Sequence, residues 1–288
     1  MIPYTVSIQD IERDFWESGI PTNAPGFYNH PEFIAREQVN GDYLNNYARF
    51  VHAQSYSEAY LVRASRIIPA ATKAVFDELT RDGRQGACVD ASSVLSKSLE
   101  RHGIWNFVVK GSLTITYPAR TGIRPQYFYT LDSGHFTAPH AWLFAPPFVV
   151  VDATLRHQGH NRAELGHLPD FVLAESVLPA FATVQDLVSP EILQHSAAKG
   201  LSIADMITEY IDFMRVFPAA ETRFSETSLK YFPCAVSAPD GELEVMIGLS
   251  SSPRRAITIY DESIRPAIVA AEAEDGGGPP PPASSRNL

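Results

Sequence analysis

The chain of 288 residues carries a net charge of -10 and contains 45% hydrophobic and 19% charged residues, which is typical of a soluble globular protein. The negative charge argues against general nucleic-acid binding and against anionic membrane surfaces. Two cysteines give no disulfide framework, and no stretch approaches the roughly 20 apolar residues of a membrane helix. Because Met1–Tyr4 is not a basic segment followed by an apolar run, we expect no signal peptide and a cytoplasmic protein.

Helical patterns dominate the N-terminal part of the chain. Apolar spacing and helix-breaking residues predict helices from about Ile8 to Ser18, Pro31 to Gln38, Gly41 to about Arg63, and Ile67 to Thr80. The third of these carries a stripe formed by Tyr43, Tyr47, Phe50 and Val51. Core packing is the ordinary role of such a stripe, and a wall of an acyl-donor cleft beside Cys88 is the alternative.

The sequence from 86 to 104, GACVDASSVLSKSLERHGI, predicts a glycine-containing approach followed by an amphipathic helix. Its apolar or small residues recur at the spacing of one helix face, at Ala91, Val94, Leu95, Ser98 and Leu99. Gly103 follows two basic residues and is a typical helix end. Cys88 is therefore predicted to lie in the first turn of a half-buried helix.

This position of Cys88 favours reactivity, because the first turn of a helix has unpaired N–H groups and a partial positive charge that stabilise a thiolate. Gly86 and Ala87 leave room for a substrate carbonyl, and the backbone N–H of Cys88 is placed to donate to a developing oxyanion. A buried, unreactive cysteine is the alternative. This stretch alone leaves both roles open.

A strand from about Trp105 to Tyr117 follows, with apolar residues on alternate positions and a bulge at Gly111. Residues 118–139 then form a long polar insert in which Tyr127–Tyr129 is predicted to be a short strand. Connections of this length are often functional. A lid or specificity loop before His140 and a simple extension of a hairpin end both remain open.

Two short β-rich runs, PHAWLF at 139–144 and VVVDAT at 149–154, are predicted to form a hairpin. Because proline cannot adopt the positive φ angles of a two-residue type I′ turn, we predict a three-residue connection that pairs Phe144 with Phe148. This register places His140 opposite Asp152 on one sheet face. Packed against the start of the Cys88 helix, the hairpin completes a Cys–His–Asp set with a nucleophile, a base and an orienting carboxylate.

The other histidines are weaker candidates for the base. His135 lies in a turn-like sequence, whereas a catalytic base needs a rigid strand and a carboxylate partner, which favours His140. Trp142 is predicted to share the face of His140 and to pack near it. The spacing of the remaining loop histidines indicates no zinc site, and none is expected at His157, His160 and His167.

The C-terminal part begins with two predicted helices, one from the N-cap Ser189 to Gly200 and one from Ser202 to Phe217. A β-hairpin is predicted next, with strands Leu229–Ser237 and Glu242–Leu249 and a third strand at Ala256–Tyr260. Cys234 lies in the first of these strands with no base nearby, so we interpret it as structural. The glycine- and proline-rich tail from about Glu272 is predicted to be disordered.

The order of a glycine, Cys88 and a helix, then a strand with His140-Ala141-Trp142, then a strand ending in Asp152-Ala153-Thr154 resembles the transglutaminase-like core of the papain-like cysteine enzymes over residues 65–157. The resemblance implies an α+β fold in which a cysteine-bearing helix packs on an antiparallel β-sheet. Papain-type enzymes use an upstream glutamine as a second oxyanion donor. The nearest glutamine here is Gln85, only three residues before Cys88.

These patterns divide the chain into a helical region 1–64, a transglutaminase-like core 65–185, a small α+β region 186–271 and a tail 272–288. We expect a cysteine-dependent amide hydrolase, a protease or amidase, that acts on a peptide or protein amide through a Cys88 thioester and needs no cofactor. One alternative is acyl transfer to an amine, as in transglutaminases or in arylamine N-acetyltransferases that use acyl-coenzyme A. Another is a catalytically silent binding module. Any protein partner is expected at the C-terminal region.

Overall fold

Eight strands form one curled antiparallel sheet in the computed structural model, which describes residues 7–82, 84–132, 139–249 and 254–273. The strands are β1 (Phe107–Thr116), β2 (Gln126–Phe128), β3 (His140–Ala145), β4 (Phe148–Asp152), β5 (Val172–Ala174), β6 (Leu178–Pro179), β7 (Ala220–Phe224) and β8 (Thr227–Ser237). Their order is β5-β4-β3-β1-β8-β7-β6, and β2 pairs with β1 beyond the end of β3. Helices and an antiparallel sheet together confirm the α+β class.

The helices are α1 (Ile8–Glu17), α2 (Pro31–Val39), α3 (Leu44–Ala53), α4 (Glu58–Asp82), α5 (Cys88–Arg101), α6 (Arg162–Leu165), α7 (Val184–Leu187), α8 (Pro190–Lys199), α9 (Ile203–Val216), α10 (Ala256–Ile259) and α11 (Arg265–Ala273). A π-helical segment, Tyr260–Ile264, joins α10 to α11. None of the described helices is long and apolar enough to cross a membrane. The N-caps Ser189 and Ser202 lie where the sequence predicts them, because each hydroxyl accepts a hydrogen bond from the first turn of its helix.

The sheet separates two apolar clusters because side chains alternate along each strand. Phe107, Trp142 and Val150 lie on one face with the aromatic stripe of α3, so this stripe is core. Leu143 and Val151 lie on the other face with α4, α5 and the C-terminal helices. Helix α5 packs against β1 and β3, as the sequence predicts.

The prediction of one continuous helix from Gly41 to Arg63 is wrong, because a non-helical segment, residues 54–57, separates α3 from α4. The Tyr56 hydroxyl donates to the carbonyl of Val51 at 2.6 Å and satisfies one of the last acceptors of α3. Ser57 Oγ accepts from the N–H of Tyr60 at 3.2 Å and starts α4. Helix α4 then continues through Pro69 to Asp82 and crosses the predicted boundary at residue 64.

The predicted C-terminal hairpin is also wrong. Strand β8 pairs with β1 along nearly its whole length and with β7 along its first half, so it belongs to the main sheet. The segment 242–249 forms turns and bends rather than a strand. Leu243 and Leu249 are buried against the helical cluster, but Val245 and Ile247, which the predicted strand would place on the same face as Leu243, are exposed. Residues 256–259 are helical rather than extended, since the α10–α11 segment packs along α4. The predicted disorder of the tail concerns residues almost entirely outside the described ranges.

Candidate active site

Cys88 is the first residue of α5, and no side chain caps the start of this helix. Its N-cap Ala87 has no side chain that accepts from the N–H groups of residues 88–90, so these donors are available to another acceptor. Gly86 precedes them with a φ of 70°, which favours glycine, and its N–H donates to the carbonyl of His157 at 3.0 Å. Cys88 packs against Val108 and Ala141 of the sheet and is 4% exposed.

The β3–β4 hairpin differs in register from the prediction. Ala145, not Phe144, pairs with Phe148, and Leu143 pairs with Val151 after an irregularity. The loop is therefore only Pro146-Pro147, two residues that are joined by a cis peptide bond. Continuing the register places Asp152 across from Trp142. The partner of Asp152 is thus two positions along β3 from the predicted partner, His140. Because side chains alternate with period two, Asp152 still lies on the face of His140.

Asp152 and His140 are in direct contact despite this shift. The distance between His140 Nε2 and Asp152 Oδ2 is 2.6 Å, and both side chains are fully buried. The backbone N–H and hydroxyl of Thr154 donate to Oδ1 at 2.8 and 2.9 Å, and the Tyr231 hydroxyl donates to Oδ2 at 3.0 Å. Burial opposes the charge of Asp152, but His140 and the two donors of Thr154 hold the pKa of Asp152 below its ordinary value. The carboxylate is ionised and fixed in orientation.

His140 also interacts with the side chain of Cys88. Burial lowers its pKa, but the carboxylate of Asp152 and contact with Cys88 outweigh burial and raise the pKa to about 10. Because Asp152 takes Nε2, Nδ1 is the nitrogen left for Cys88. Nδ1 is buried and has no hydrogen-bond partner among the described residues.

Aromatic rings enclose His140 on its sheet face. The ring centroid of Trp142 lies 6.2 Å from that of His140 at an interplanar angle of 24°, where the sequence predicts this side chain. Phe128 of β2 lies at 5.7 Å and Tyr231 of β8 at 6.3 Å. These rings restrict the imidazole and exclude water from its pair with Asp152, which strengthens the electrostatic interaction.

The other predicted site residues are not gathered at this pair. Gln85 is exposed, and the described hydrogen bonds of His140 and Asp152 do not include it, so its role as oxyanion donor stays a prediction. His135 lies outside the described residues, as does part of the predicted insert. His160 contacts Gln126 and the carbonyl of Leu155, each at 2.7 Å. The described residues contain no cluster of three or more side chains that could hold a metal ion.

Cys234 occupies a different environment from Cys88. It lies in β8, where Thr130 Oγ1 donates to its sulfur at 3.2 Å. Burial raises the pKa of the Cys234 thiol to about 11, with the hydrogen bond acting in the opposite direction. No basic side chain is among its described hydrogen-bond partners, Thr130 and the carbonyl of Phe232. These contacts agree with the structural role inferred from the sequence.

Sequence reasoning missed two residues of the site, Thr154 and Tyr231. Thr154 had a local signal, because Asp followed two positions later by Thr commonly forms a side-chain-to-backbone turn. Tyr231 had none, since it is 79 residues from Asp152 and reaches it only through the sheet.

A scan against protein-family models, a search of the curated proteins and a search of the solved structures each found no match to this chain.

Proposed function

We propose that the chain is a cysteine-dependent amide hydrolase with Cys88 as nucleophile, His140 as proton carrier and Asp152 as the residue that orients His140. The observation that carries the proposal is the buried contact of 2.6 Å between His140 Nε2 and Asp152 Oδ2, which leaves Nδ1 for Cys88. A nucleophile, a base and a third group that orients the base are the components of a catalytic triad.

The geometry supports a two-step reaction. The Cys88 thiolate attacks the amide carbonyl carbon, and the uncapped N–H groups of the first turn of α5 stabilise the oxyanion. The C–N bond then breaks, His140 Nδ1 gives its proton to the departing amine, and a thioester remains. Neutral His140 next takes a proton from water as the oxygen of that water attacks the thioester. Cleavage of the C–S bond releases the acid and regenerates the ion pair.

The resemblance to the transglutaminase-like core of papain-like cysteine enzymes supports the same choice of residues. We favour hydrolysis over transfer to an amine because nothing in the sequence marks an acceptor-amine site. The substrate class that follows is a peptide or side-chain amide.

The decisive experiment is alkylation by iodoacetamide across pH 4 to 9, read by mass spectrometry, with Cys234 as the internal control. We expect Cys88 to react far faster than Cys234 below neutral pH and to lose this advantage in His140→Ala. Equal reactivity of the two cysteines, or no effect of His140→Ala, would contradict the proposed thiolate–imidazolium pair.

A second measurement identifies the reaction. Amine or ammonia release from a library of peptide and glutamine amides should occur with wild type and stop in Cys88→Ala, and a thioester should be trapped on Cys88 by acid quench. Product formation only with an added amine would favour acyl transfer. A reactive Cys88 that turns over no amide, with or without an amine, would leave the binding-module alternative.

A further inference from the structure

A cavity of about 250 Å³ lies on the sheet face that carries His140 and is separate from the Cys88 thiol. Strands β1, β3, β4 and β8 form its floor, and the segment from Phe217 to Ala220 forms part of its opposite side. Trp142, Val150 and Tyr231 line it, and each is at most 2% exposed. These three side chains are covered by protein, and the cavity itself is partly open to solvent.

The lining excludes a charged occupant. Among the described residues that line the cavity there is no Asp, Glu, Lys or Arg. The Tyr231 hydroxyl is already committed to Asp152, and partial burial lowers the pKa of His52, so that this ring is neutral at pH 7. A charge placed here would lose its hydration without gaining a partner. The cavity thus favours an uncharged ligand with few or no hydrogen-bonding groups.

The residue types of the lining favour an aromatic ring. Five of the lining residues have aromatic carbocyclic or indole rings, namely Phe107, Trp142, Phe144, Phe217 and Tyr231. Aromatic side chains stabilise another ring by stacked or edge-to-face contacts beyond the burial of area. An enclosed apolar cavity of roughly 150 Å³ accommodates benzene, so the volume of about 250 Å³ is sufficient for one substituted aromatic ring.

We propose that this cavity is a binding site for a small, neutral aromatic molecule or group of about the size of toluene. An occupant would touch Trp142, whose ring packs against His140, and Tyr231, whose hydroxyl holds Asp152. The site would therefore lie directly behind the residues that position the imidazole. Binding itself requires no reaction at Cys88 and does not rest on the proposed hydrolase.

The test is calorimetric titration of toluene into full-length Cys88→Ala protein, with benzoate as a charged probe of similar size. We expect saturable 1:1 binding of toluene, a saturable increase in the unfolding midpoint, and at least tenfold weaker binding of benzoate. The proposal would be overturned if the heat of titration and the unfolding midpoint both changed linearly with toluene concentration, without saturation. Equal affinity for benzoate would also overturn it.

Matched variants locate the binding. Ala220→Leu fills the cavity, whereas Ala197→Leu adds the same side chain at an exposed position on α8. Toluene affinity should fall at least tenfold in the first variant and stay unchanged in the second. If Ala220→Leu does not fold, Val149→Phe at the partly exposed wall of the cavity serves the same purpose. Undiminished toluene binding in a folded filled variant would show that the cavity is not the site.

Discussion

Tyr231 donates a 3.0 Å hydrogen bond to Oδ2 of Asp152, the same oxygen that contacts His140. The two residues lie on β8 and β4, which β1 and β3 separate in the sheet. Three strand spacings amount to about 14 Å in a flat sheet, more than the two side chains can span. The contact therefore exists only because the sheet curls, and it ties the C-terminal strand to the candidate active site.

Removing this hydroxyl tests whether Tyr231 positions the carboxylate. In Tyr231→Phe we expect the free energy of unfolding to fall by about 2 kcal/mol, because a buried hydrogen bond to a charged group is lost. The alkylation rate of Cys88 at pH 6 should fall several-fold as Asp152 gains freedom. Tyr43→Phe is the matched control, since that hydroxyl donates to Asp14, remote from Cys88 in the fold. Similar loss of stability in both variants with unchanged alkylation would make the Tyr231 contact purely structural.

The His140–Asp152 pair predicts a pH-dependent contribution to stability. The folded pKa of Asp152 lies below its ordinary 3.8, so its contribution is present above about pH 4 and is lost as the pH falls further. The folded pKa of His140 is raised from 6.5 to about 10, so its contribution is complete below pH 6.5 and is lost as the pH rises toward 10. Their joint contribution is therefore greatest between about pH 4 and 6.5.

Urea denaturation of wild type and Asp152→Asn at pH 3, 5.5 and 9 measures this contribution. At pH 5.5 the variant should be less stable by about 3 kcal/mol, the cost of breaking a buried ion pair by removing one charge. The difference should be smaller at pH 3 and at pH 9. A difference that is constant across the three pH values would argue against an ion pair.

Gly111 is predicted to be intolerant of any side chain. It pairs with His140 across β1 and β3, at the bulge between β1 and β8. A Cβ here would lie 2.0 Å from the carbonyl oxygen of Phe232 and 2.9 Å from the Trp142 ring. We expect Gly111→Ala to lower the free energy of unfolding by about 3 kcal/mol, because the backbone of β1 or β8 must move to relieve the clash with Phe232. Gly41→Ala is the control, because a Cβ at Gly41 would have no neighbouring atom within 4 Å. This variant should leave the urea midpoint nearly unchanged.

Cys234 is predicted to be inert in the folded protein. Since burial raises the pKa of its thiol to about 11, it stays protonated at pH 8, and iodoacetamide should modify it slowly. In 6 M guanidinium chloride the two cysteines should alkylate at comparable rates. Rapid modification of Cys234 in the native protein, measured by mass spectrometry of its peptide, would be inconsistent with this environment.

Several parts of the site were predictable from local sequence. The apolar period and Gly103 predict the limits of α5, so the position of Cys88 in its first turn depends on nearby residues alone. The shared face of His140 and Asp152 was also predictable, because the two-residue alternation of a strand survives a register shift of two. The register itself was not, since it depends on the length of the loop between β3 and β4 and on the pairing of β3 with β1.

The sequence by itself determined the ends of α8 and α9 and the shared sheet face of His140 and Asp152, because capping groups and strand alternation act over a few residues. Only the tertiary structure decided that β8 lies beside β1, that 256–259 is helical, and that Tyr231 reaches Asp152. A β-branched run is compatible with a strand or a buried helix, and the available neighbours select between them. Contacts between residues far apart in the chain depend on the curl of the whole sheet, which no local pattern encodes.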